Sequence, residues 1–135
     1  MLREDSTLEE VQTFFAQDRF ASEACGCEVL EAARGHAVCA FVIGQQHLNA
    51  MGNVMGGAIF TLADFALAIA CNVGEAPTVS VQSSIEYFSA AKGTRLIATA
   101  NADKSGRSLG FYTVHIADDL GTPVAMMTAT CFRRS

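Results

Sequence analysis

The stretch NVMGGAIFTLADFALAIACN, Asn53 to Asn72, holds only two polar residues, Thr61 and Asp64, between Ala58 and Cys71. Those 14 residues fall short of the roughly 20 that span a bilayer, so they read as a helix meant for a protein core. Asn72 and Gly74 are suitable stops for it. A helix apolar on every face must be surrounded. Five alanines (58, 63, 66, 68 and 70) keep it thin, so that a sheet could curve closely around it.

The flanks supply that sheet. Ser6-Thr7-Leu8-Glu9 reads as a capping box with Ser6 as N-cap, and Leu8, Val11, Phe14 and Phe15 follow at helical spacing. An amphipathic N-terminal helix reaching about Asp18 is expected. Strands are expected over 27–32 and 36–43 with Gly35 turning between them, and 44–53 reads as a polar loop. Past the helix, strands are expected over 78–87, 95–102, 109–116 and 124–132. Val79, Val81, Ile85 and Tyr87 should share one side, and Asp103 to Arg107 should form a hairpin turn. The expected fold is α+β: one long central helix wrapped by a curved antiparallel sheet of about five to six strands, with an N-terminal helix, in a single domain over 1–135.

Composition narrows the function classes. With 9 Lys and Arg against 14 Asp and Glu, net charge −5, nucleic acid is an unsuitable partner. The N-terminus has neither a basic leader nor an apolar core behind it, so no signal peptide and no membrane partner are expected. Five cysteines, an odd number, suit reduced buried thiols in a cytoplasmic protein. Cys25-Gly-Cys27 lacks zinc spacing, and no metal is expected.

Asp64 needs a reason to be where it is. An unpaired carboxylate in an apolar interior costs several kcal/mol or shifts its pKa upward. Thr61 is its one possible hydrogen-bond partner within the helix. Desolvation would also make it a better base. Gly56 and Gly57 sit where first-turn amides have no intrahelical partner, which suits an oxyanion. Asp64 lies eight residues beyond Gly56. That is about 12 Å along a helix, whereas donors and base must meet at one reacting group. If both serve one site, a second copy of the chain must bring the partner group, which predicts a homodimer with sites at the interface; otherwise Asp64 is an acid bonded to backbone or hydroxyl groups and Gly56-Gly57 a tight turn into the helix.

His47 to Asn72 resembles the hotdog-fold thioesterases of the phenylacetate-degradation (PaaI) type, which hydrolyse acyl-coenzyme A. The family pattern appears as His47, Asn49, Gly52, Met55-Gly56-Gly57 and Asp64, and Val79 to Gly93 resembles its third strand. The resemblance implies Asp64 as general base or nucleophile and the Gly56 amide of another subunit as carbonyl donor. It implies Asn49 and Ser80 as supports for water or substrate, and an assembly of dimers into a homotetramer. Met55 stands where the family usually has histidine, and a thioether cannot donate a hydrogen bond. Two readings follow: a thioesterase in which Met55 shapes the loop, or a non-catalytic acyl-coenzyme A binding module.

A thiolate leaves readily, at a pKa of about 8.5, so a carboxylate and carbonyl donors suffice without a cofactor, coenzyme A entering with the substrate. There is no Gly-x-Ser-x-Gly elbow. Acyl-pocket candidates are Met51, Phe60 and Phe65, with Gly57 and His47 beside them. Lys104 and Arg107, and the pair Arg133 and Arg134, are cations available to a nucleotide. A dehydratase acting on an acyl thioester is a third reading, and His47 is the histidine nearest its needs.

Overall fold

The computed structural model describes residues 2–134. Helix α1 (Leu8–Phe15) is followed by a π-helical turn (Phe20–Ala24), then β1 (Glu28–Ala33) and β2 (His36–Val42). A short 3₁₀ turn (Gln45–His47) leads to α2 (Gly56–Asn72). The chain closes with β3 (Thr78–Tyr87), β4 (Arg95–Ser105), β5 (Leu109–Asp118) and β6 (Pro123–Arg133). All six strands join one antiparallel sheet in the order β1-β2-β4-β5-β6-β3. It curves around α2, whose Leu62, Ala63, Ala66, Ile69 and Ala70 are wholly buried. This is the expected hotdog architecture. Gly35 turns β1 into β2 at φ 75°, and Gly74 leaves α2 at φ 73°, both in the region that favours glycine.

Several local expectations are corrected. The N-cap is Thr7, paired reciprocally with Glu10, because the Ser6 hydroxyl accepts from the Arg3 amide instead. Helix α1 stops at Phe15, where three-residue bonds from Gln17 to Phe14 and from Asp18 to Phe15 tighten the chain. The π-helical turn then follows, closed by the Cys25 amide on the Phe20 carbonyl at 3.0 Å. Strand β4 runs on to Ser105, so Asp103 and Lys104 lie in the strand and the turn is confined to 106–108.

The most consequential correction is in β3. A bulge between Ser80 and Gln82 adds one residue, and one residue flips every later side chain to the other face. Val79 pairs with the half-exposed Phe132, whereas Ile85 and Tyr87 pair with the buried Met127 and Ala125. The four apolar residues do not share a side.

Helix α2 is not wrapped all round either. Gly57 and Asp64 are exposed and Thr61, Ala68 and Asn72 half-buried, a stripe at helical spacing that the chain's own sheet leaves uncovered. No helix among the described residues is long and apolar enough to cross a membrane.

Candidate active site

The uncovered stripe carries the candidate residues. Asp64 projects into a groove of about 330 Å³ lined by Asp18, Phe20, Phe60, Thr61, Phe65 and Ala68. Thr61 does not serve it, because its hydroxyl donates to the Gly57 carbonyl at 2.8 Å. Among the described residues the Asp64 carboxylate has no hydrogen-bond partner. Solvent reaches it, yet the groove displaces enough water that burial raises its pKa above 3.8, and the nearby Asp18 charge raises it further. Arg19, which also lines the groove, is engaged with Glu23 at 3.1 and 3.2 Å.

The other end of α2 presents donors. Its N-cap, Met55, makes no side-chain cap, and the Ala58 and Ile59 amides both turn back to the Met55 carbonyl. Among the described residues the Gly56 and Gly57 amides have no partner. A groove of about 450 Å³ lies beside them, lined by Phe20, Cys25, His47, Met55, Gly57 and Thr61 among others. None of its lining residues is an acid, Lys or Arg. On the opposite flank the Tyr87 hydroxyl donates to the Gly56 carbonyl at 3.0 Å.

The loop before α2 is built by its own polar side chains. Asn49 Oδ1 accepts from the Met51 and Asn53 amides at 3.0 and 3.1 Å, and among the described residues its Nδ2 has no partner. His47 is buried, with its ring stacked on Phe41 at 3.9 Å. Its Nδ1 accepts from the Gly44 amide, which places the proton on Nε2, the atom 2.7 Å from the Cys25 carbonyl. Both nitrogens are thus occupied, Nδ1 in closing the loop on its own first residue and Nε2 in tying it to the end of the π-helical turn. That turn brings Phe20 and Asp18 to the site, and nothing in the sequence marks it, since a single wide turn carries no glycine or proline signal.

The remaining candidates scatter. Met51 is 85% exposed on the loop. Phe60 lines the Asp64 groove, while Phe65 also packs edge-on to Phe15 in the core. Ser80 lies on β3 opposite Cys131. Lys104 and Arg107 are exposed at the end of β4 and in the turn. Arg133 is a buried strut rather than a free cation, donating to the Gly106 carbonyl and Ser105 hydroxyl with Glu75 at 3.5 Å. All five cysteines are free and buried.

Residues 51–125, which include α2 with Gly56, Gly57 and Asp64, match the model of the thioesterase superfamily. The chain belongs to the thioesterase superfamily. Human acyl-coenzyme A thioesterase 13 is 36% identical over 93 residues, 67% of this chain and 66% of the relative. The Escherichia coli PaaI protein of the phenylacetic acid degradation operon superposes with a TM-score of 0.82 at 25% identity, covering 96% of this chain and 97% of that one. A hypothetical thioesterase from Streptococcus pneumoniae, solved with coenzyme A, gives 0.78 at 28% identity over 96% and 100%. This member of the superfamily is a thioester hydrolase.

Proposed function

We propose that the chain hydrolyses acyl-coenzyme A, with Asp64 of one copy and the Gly56 and Gly57 amides of another acting on one thioester. The observation that carries this is that the Asp64 carboxylate and the Gly56 and Gly57 amides, all without a partner among the described residues, lie on one helix eight and seven residues apart. At about 12 Å they cannot converge within a chain. Asp64 takes a proton from the water that attacks the thioester carbonyl, or attacks that carbonyl itself to give a mixed anhydride that water then opens. The amides hold the carbonyl oxygen as it gains charge, and coenzyme A leaves as thiolate. Coenzyme A arrives with the substrate, so the reaction calls on no resident cofactor.

The sheet supports pairing of copies. The β1 edge is blunted by α1, with Gln12 Nε2 on the Val29 carbonyl at 2.9 Å. Strand β3 is the other edge, ten residues long with exposed Val79, Val81 and Tyr87, and an edge of this kind favours strand pairing. Two such dimers would give the tetramer. Lys104 and Arg107 remain the cations offered to the nucleotide phosphates. The five buried thiols suit a reducing cytoplasm.

The names of the human relative and of the Escherichia coli acyl-coenzyme A thioesterase PaaI support this substrate class. Met55 motivates the rival binding module, since it brings no donor to the site. Thiol release from a panel of acyl-coenzyme A esters, abolished by Asp64→Asn, would uphold hydrolysis. Calorimetric binding without turnover across that panel would replace it with the binding module.

A further inference from the structure

Gly56 is closely approached by a neighbour on another element. A Cβ at position 56 would lie 3.2 Å from both Cζ and Oη of Tyr87, tighter than ordinary packing allows. Tyr87 reaches that place because the β3 bulge has turned it to the helix side, opposite Ala125. Its hydroxyl donates to the Gly56 carbonyl, the oxygen of the peptide unit whose N–H belongs to Gly57. A hydrogen bond at the oxygen of an amide fixes its plane and strengthens the N–H as a donor.

We propose that Tyr87 is a positioning residue for hydrolysis: its hydroxyl, carried in from the end of β3, locks the Gly56–Gly57 peptide so that the Gly57 amide, one of the two free amides at the start of α2, points at the thioester oxygen. This rests on the reading of those amides as the carbonyl donors. The α2 N-terminus makes no side-chain cap of its own, so its first peptides would otherwise be oriented by the helix alone. Donors aimed beforehand are worth more than donors that must reorient as charge develops. Strand β3 thereby contributes to the chemistry through a group that need not touch substrate. It also ties donor geometry to the edge strand on which a second copy would pair.

Tyr87→Phe removes the hydroxyl and keeps the ring against Gly56. The expected result is a kcat about tenfold lower with KM nearly unchanged, because the donors are misaimed for the transition state while ground-state contacts stay. The Gly57 amide resonance should move in ¹⁵N–¹H spectra. Gly56→Ala should lower kcat through the 3.2 Å crowding, and adding Tyr87→Ala should relieve part of that loss, a non-additivity a double-mutant cycle reads directly. An unchanged kcat per folded molecule in Tyr87→Phe, with the Gly57 resonance in place, overturns the inference. Wild-type protein that releases no thiol, or releases it equally with Asp64→Asn, instead overturns the proposed reaction itself.

Discussion

Mixing two inactive variants should restore activity if the carboxylate and the donors come from different chains. Asp64→Asn removes the proposed base. Gly56→Pro removes one amide while keeping the helix, because proline suits the first helical position. Met55 is already extended (φ −69°, ψ 147°), as a residue before proline must be. The ring atoms would press on Tyr87, where an added Cβ meets the phenol at 3.2 Å, and the side chain must give by a few tenths of an ångström. Each variant alone should fall by about 100-fold or more. Unfolded together at equal amounts and refolded, random pairing makes half the dimers mixed, and each mixed dimer holds one intact site of two. The mixture should therefore recover about one quarter of wild-type thiol release, read with a chromogenic disulfide. A mixture no better than the mean of its components, with mixed dimers demonstrated by two affinity tags, would place both groups in one chain.

The raised pKa of Asp64, from burial first and Asp18 second, has two consequences. The acid limb of kcat/KM should lie above the usual carboxylate range, and Asp18→Asn should move it down. An acid whose folded pKa exceeds its unfolded value weakens the fold at pH above the folded pKa, and this penalty disappears below the unfolded one. Asp64→Asn should therefore raise the thermal midpoint near neutral pH while abolishing turnover, and calorimetry finding a lower midpoint would contradict this. Burial pushes the Asp118 carboxyl up, but the amides of Lys92, Thr122 and Gly93 outweigh it and hold it well below 3.8. Its contribution is present above the ordinary carboxylate range and lost as pH falls through the folded value. Asp118→Asn should lower the midpoint at neutral pH and flatten its acid-side dependence in a pH series of melts. His47→Ala loses the stack on Phe41 and two buried bonds, for about 3 kcal/mol in denaturant unfolding. Ala substitution of both Lys104 and Arg107 should raise KM for acyl-coenzyme A and leave kcat unchanged.

The long apolar run of α2, its alanines and the alternating segments after it made the helix-in-sheet architecture legible, because burial on all sides shows as an unbroken apolar run and burial on one side as alternation, both written locally. The spacing from Gly56 to Asp64 was equally legible, since helical rise is nearly constant. Other features were not. Ser6-Thr7-Leu8-Glu9-Glu10 contains two overlapping capping boxes, and only the Arg3 amide, by engaging Ser6, decides between them. The bulge at β3 is one residue in ten and carries no glycine, yet it alone sets which side Tyr87 faces.

The sequence by itself determined the two α-helices and the six strands, the apolar rod among them and the lone acid on it. Tertiary structure decided which stripe of that rod stays uncovered, that Phe20 and Asp18 border the Asp64 groove, and that Tyr87 grips Gly56. The reason is that hydrophobic pattern is summed over many residues and tolerates local error. The direction of a single side chain depends on register and on one or two hydrogen bonds between segments far apart in the chain.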